Sequence, residues 1–190
     1  MSKLKLWRVF PWDAQARAGA EFSPGFKPVG QGVGRFDIPE LTPVWYFAES
    51  PAHAVAEVIQ GLRNQSLEDA DLVRFGRRLA IVPVTVTVGR GRHARRLPDL
   101  CDPAELASRS VRPDALATFD FAQTQAIARD LFDAGCLGFR WWSALGGDWH
   151  ATILCDTRCK GVLSFGTPEA LTVKSESVAE AAARLAIRIA

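Results

Sequence analysis

Five polar residues with chemistry to offer are spread along this 190-residue chain: Arg8, Arg35, Tyr46, Glu57 and Ser143. Arg35 stands in the glycine-punctuated stretch "GVGRFD", and Tyr46, the chain's only tyrosine, follows in "VWYFA". An arginine in such a loop either solvates a turn or holds something negative, since a guanidinium grips a carboxylate or phosphate with two parallel hydrogen bonds. Arg35, Tyr46 and Glu57 follow one another at intervals of 11 residues. Singly, each of the five has a plain structural account: surface arginine, half-buried tyrosine, solvated glutamate, turn serine.

Other chemistries find no support. There is no GxxxxGK, GxSxG or HExxH, and "GQGVGR" follows no strand and opens no helix, so it is not a dinucleotide fingerprint. The three histidines, His53, His93 and His150, lack metal spacing. Cys101, Cys136, Cys155 and Cys159 do not form the paired clusters of a zinc site and read as reduced thiols; no metal is expected. The net charge of +2 creates no general field for nucleic acid or an anionic membrane. The basic run "GRGRHARR" (89–96) has no interleaved aromatic and reads as a solvated loop. No apolar run reaches the roughly 20 residues of a membrane span, and "MSKLKLWRVF" lacks the features of a secretory leader. With 48% apolar and 23% charged residues, a soluble, cytoplasmic globular protein is expected.

The elements that must position the five residues follow from periodicity. "LKLWRVF" (4–10) alternates as a strand carrying Arg8, and "VWYFA" (44–48) is a second strand on which Trp45 and Tyr46 face opposite ways. Between them, 11–43 is rich in Gly and Pro without a period, the length of a functional or disordered loop. Ser50 suits an N-cap and Pro51 the first helical position; Val55, Val58, Ile59 and Leu62 make the apolar stripe. That stripe puts Glu57 on the polar side with His53 and Gln60. "LAIVPVTVTV" (79–88) is the strongest strand signal, with Pro83 suggesting an edge or a bulge. Residues 97–119 read as irregular, punctuated by Pro98, Pro103 and Pro113. A helix with Asp120 and Gln123 as a capping-box pattern ends at Gly135, and "LGFRWW" and "WHATILCD" pair across a "SALGGD" connection. A short strand "GVLSF" and a C-terminal helix over 177–190, docking on the sheet, complete the chain. Irregular interleaving of strands and helices points to one compact α+β domain over 1–190, with a mixed, mostly antiparallel sheet and flanking helices.

Taken in order, "LWRVF", "GRF", Tyr46 followed by "AES", Glu57, then "QTQAIARDLFDAGCLGFRWWS" resemble the RES-domain family, named for its Arg, Glu and Ser. The resemblance covers roughly residues 6–156. It implies a fold similar to ADP-ribosyltransferases and an NAD+-degrading toxin neutralised by an Xre-type helix-turn-helix antitoxin. NAD+ is then a substrate and no cofactor is implied; inorganic phosphate is a candidate co-substrate.

Carried over by position, Arg8, Arg35, Tyr46 and Ser143 bind NAD+, and Glu57, Arg35 and Tyr46 are catalytic. The implied reaction is glycohydrolase or phosphorylase cleavage of the nicotinamide–ribose bond. A protein ADP-ribosyltransferase is the alternative, and a non-catalytic regulatory or RNA-binding module a second. The family's commoner "GRWN" is "GRFD" here, and an Asp37 carboxylate pointing at a phosphate would repel it.

Overall fold

The computed structural model describes residues 2–28, 31–89 and 96–190, so most of the basic run 89–96, including His93, lies outside the described residues. In chain order the elements are β1 (Ser2–Pro11), β2 (Val44–Ala48), α1 (Pro51–Ile59), β3 (Ser66–Leu67), β4 (Val73–Arg74) and β5 (Arg77–Val88). There follow α2 (Pro103–Ser108), α3 (Pro113–Ala117), α4 (Phe121–Asp133), β6 (Gly138–Ser143), β7 (Gly146–Cys155), β8 (Leu163–Phe165), β9 (Glu169–Ala170), α5 (Glu176–Arg184) and β10 (Arg188–Ile189). This is the expected α+β class, with strand pairs β1/β2, β4/β5, β5/β9 and β6/β7 all antiparallel. The chain divides into two compact units, one of 1–4, 28–46 and 86–163, the other of 5–27, 47–85 and 164–190.

In the first unit, β2, β7 and β6 are hydrogen-bonded neighbours. Its core gathers Phe36, Ile38 and Val44 with Leu100, Leu106, Leu116, Leu131, Phe139 and Ile153. The Phe36 ring stands edge-on to Phe139 and Trp141, with centroids 4.9 and 4.8 Å away, an arrangement that favours the ring quadrupoles. The stretch expected to be irregular contains two short helices. Pro103 and Pro113 each open one, occupying a first-turn position where the missing N–H costs nothing, and the Asp102 side chain caps α2. Asp120 caps α4 by accepting from Ala122 N–H, and Gly135 follows at φ +81°, a conformation side chains resist. The hairpin between β6 and β7 is tighter than expected, because the glycines at 146 and 147 belong to β7 and Ser143 pairs with Gly146.

In the second unit the hydrogen-bonded order is β4, β5, β1, β2. Pro83 does not mark an edge, since β5 has β1 on one side and a succession of short strands on the other. The Pro83 carbonyl accepts from Gly166 N–H at 2.8 Å, and a residue's N and C=O face the same neighbour across an antiparallel ladder. The missing donor therefore falls where β9 gives way to β8. Helix α1 packs on α5, and α5 ends at Arg184 instead of running to 190. Ala186 takes a left-handed φ of +56°, which turns the chain into β10, parallel to β3.

Candidate active site

The loop before β2 is organised around a carboxylate. Asp37 is buried, and its Oδ2 accepts from the backbone N–H of Gly32 and of Gly34, each at 2.8 Å. Its Oδ1 accepts from the Tyr46 hydroxyl at 2.8 Å, and that hydroxyl accepts in turn from Phe36 N–H at 3.0 Å. Asp37 thus satisfies three donors of its own loop and strand. Gly34 is required by this closeness, since a Cβ there would lie 2.7 Å from Asp37 Oδ1.

Tyr46 is the exposed member of β2, while Trp45 beside it is buried with its Nε1 donating to Asp156 at 2.8 Å. The ring retains 40% exposure, yet its hydroxyl is held inside the Asp37 and Phe36 contacts. Burial of the hydroxyl, then the negative Asp37 and the bond donated to it, raise the Tyr46 pKa well above the ordinary phenol value; Phe36 N–H and Arg35 oppose this weakly.

Arg35 is pinned to a segment 81 to 83 residues further along the chain. Its Nη1 donates to the carbonyls of Leu116, at 3.2 Å, and Thr118. The guanidinium also lies over the rings of Phe121, Trp141 and Phe119, at 5.0, 5.3 and 5.8 Å from their centroids. The backbone around it is stitched to α4 as well. Thr124 Oγ1 donates to Arg35 O, and Gln125 Nε2 donates to the carbonyls of Gly34 at 2.9 Å and Gly32 at 3.2 Å. These contacts fix the plane of a permanent cation beside an aromatic wall. Ser143 belongs to the same unit, two residues past Trp141; it is buried, and its Oγ accepts from Leu145 N–H at 3.1 Å across a bulge.

Arg8 and Glu57 belong to the second unit. Arg8 Nη1 donates to Pro24 O at 2.7 Å, its guanidinium lies 5.5 Å from the centre of the Phe10 ring, and burial lowers its pKa to about 10. It remains cationic at neutral pH. Glu57 faces outward from α1, as expected, with 46% of its side chain exposed. His53 corrects the sequence expectation: instead of sharing the polar side it is fully buried, with its Nε2 2.9 Å from Glu57 Oε1. Ala52, Ala54, Val55, Ala56 and Ile59 are buried too, so the covered arc of α1 extends well past the apolar stripe. The i,i+4 spacing of His53 and Glu57 is the sequence signal that could have joined them.

The structure brings Arg35 and Tyr46 together through Asp37 and Phe36. It also assigns structural parts to Asp37, Thr124 and Gln125 that only the folded loop reveals. Among the described residues, no cluster of metal-binding side chains occurs and no helix is long and apolar enough to cross a membrane.

A family model for the RES domain matches residues 5–176. The chain belongs to the RES-domain family. The fold is similar to that of a chain in the crystal structure of the M. tuberculosis MbcT–MbcA toxin–antitoxin complex, with a TM-score of 0.58 and 20% sequence identity. The match covers 90% of this RES-domain chain and 85% of that one. No curated protein sequence matches the chain significantly.

Proposed function

We propose that this RES-domain protein is the toxin of a toxin–antitoxin pair and that it degrades NAD+ by cleaving the nicotinamide–ribose bond. The observation that carries this reading is the family match over residues 5–176, supported by a fold like that in the MbcT–MbcA complex. In this reaction nicotinamide leaves as a neutral group, taking the electron pair of the C–N bond. The ribose passes through an oxocarbenium-like state, and an oxygen of water or inorganic phosphate bonds to its anomeric carbon and gives up its proton to solvent.

Glu57 supplies the negative charge that the developing cation requires, from a carboxylate on a helix whose start is fixed by Ser50 and Pro51. Arg35 and Arg8 bind the pyrophosphate; Arg35 suits this because its plane is already set by two carbonyls and three rings. Tyr46 packs at the nicotinamide–ribose end, its hydroxyl kept protonated, and Ser143 orients the substrate by hydrogen bonding. The partner is an Xre-type antitoxin that suppresses this activity.

Purified protein incubated with NAD+, with and without inorganic phosphate, tests the reaction. Free nicotinamide accumulating without any acceptor protein is the expected result, with ADP-ribose or its 1-phosphate identifying water or phosphate as the acceptor. Nicotinamide release only when an acceptor protein is present would establish ADP-ribosyl transfer instead. An NAD+ pool that stays level when the protein is induced in cells would remove the toxin reading.

A further inference from the structure

We infer that His53 is a positioning residue that holds the Glu57 carboxylate in its working orientation. This rests on the reading of Glu57 as the group that faces the ribose. The two side chains are one helical turn apart on α1, with Nε2 and Oε1 separated by 2.9 Å. His53 is completely buried, whereas 46% of the Glu57 side chain is exposed. An ionised carboxylate can only accept hydrogen bonds, so the proton in this contact belongs to His53 Nε2. The second oxygen, Oε2, lies 3.3 Å from Gln60 Nε2, whose amide also donates to Glu57 O at 3.0 Å.

An exposed glutamate on a helix ordinarily samples several rotamers, and a reaction that depends on its orientation must wait for one of them. A buried imidazole cannot follow the carboxylate as it swings. The hydrogen bond therefore selects the rotamer that returns Oε1 to Nε2, and the rest of the carboxylate stays presented to solvent and ligand. Full burial of an imidazole carries a desolvation cost that an apolar side chain would avoid. That cost has a function if the imidazole acts as the fixed donor beneath a reactive carboxylate.

The experiment measures nicotinamide release by the full chain for wild type, His53→Leu, His53→Gln, Glu57→Gln and the His53→Leu/Glu57→Gln double variant. His53→Leu is expected to lower kcat roughly 10- to 100-fold, the range for losing a hydrogen bond to a charged group, with KM changed less than about threefold. His53→Gln, whose amide N–H can reach the same oxygen, is expected to recover most of that loss. Glu57→Gln is expected to be impaired more deeply, with no further drop when His53→Leu is added, because the two act as one unit.

If Glu57→Gln is impaired and His53→Leu turns over like wild type, the positioning role fails while the Glu57 reading stands. If Glu57→Gln itself matches wild type, both fall. Equal losses in His53→Leu and His53→Gln, or additive losses in the double variant, would reduce His53 to packing. Nitrogen NMR of the wild-type His53 ring supplies a readout that needs no variant to fold. Nε2 is expected to carry a proton at neutral pH, and a bare Nε2 overturns the inference.

Discussion

Arg35 and Glu57 bring opposite charges into the two units by different means. Glu57 is placed locally: a capped helix, a proline at its first position and a histidine one turn back settle where its carboxylate goes. Arg35 is placed from far along the chain, by carbonyls 81 and 83 residues away and by α4 side chains that hold its loop's backbone. A helix keeps its shape when one surface side chain is removed. A loop without a ladder keeps its shape only while its pins remain, because each freed residue regains conformational entropy. Loss at Glu57 should therefore appear in chemistry, and loss around Arg35 in stability first.

The largest effect is expected from Glu57→Ala, a drop of about 10²–10³-fold in NAD+ turnover, the scale for removing one preorganised transition-state charge. Its unfolding free energy, followed by chemical denaturation, should stay within about 1 kcal/mol of wild type because the side chain is half exposed. A variant that instead loses stability with its activity would break the contrast.

Asp37→Ala tests the other side. It strands two backbone N–H groups and the Tyr46 hydroxyl, and is expected to cost about 1.5–3 kcal/mol in the same denaturation experiment. Asp37→Asn should cost less, since one amide oxygen can still accept from Gly32 and Gly34 while its NH2 turns to Tyr46 Oη. Equal stability of Asp37→Ala and wild type would show that the loop does not depend on its carboxylate.

Tyr46 gives a pH-dependent measure of the same loop. Its folded pKa is raised above the ordinary value of 10.0, so the folded state retains a proton that the unfolded chain releases. The corresponding stability is fully present below pH 10 and is lost progressively as pH rises beyond it. Tyrosinate absorbance reports this residue alone, because the chain has a single tyrosine. Ionisation should coincide with alkaline unfolding, and a free titration at the ordinary value in folded protein would contradict the buried hydroxyl.

The smallest effect is expected at Gln60, exposed and 3.3 Å from Glu57 Oε2. Gln60→Ala should change stability by less than about 0.5 kcal/mol. In a turnover assay it should cost far less than His53→Leu, which isolates the buried donor as the one that sets the carboxylate.

The legible parts of the fold were those with a local cause. The strand at 44–48, the Ser50–Pro51 start of α1, the α4 cap at Asp120 and the outward Glu57 all follow from spacing and capping. Pro103 and Pro113 read as loop punctuation but open helices, because a proline suits both and only the packing of Leu106 and Leu116 into the core decides. Helix α5 stops at Arg184, short of the expected 190, because an alanine-rich sequence carries no mark for the left-handed turn at Ala186. His53 looked polar because a helical wheel knows the stripe but not how far neighbours wrap around it.

The sequence by itself determined the order of the five residues, the RES-domain resemblance, and the helix and strands that carry Glu57, Tyr46 and Arg8. Tertiary structure alone decided the direction of Asp37, which turns into its own loop to accept from Gly32, Gly34 and Tyr46. It also decided the seat of Arg35 among distant carbonyls and rings, and the burial of His53 beneath Glu57. The physical reason is one of range: capping and periodicity act across a few neighbouring residues, whereas the environment of a loop carboxylate or a buried imidazole is made by segments that meet only when the chain has folded.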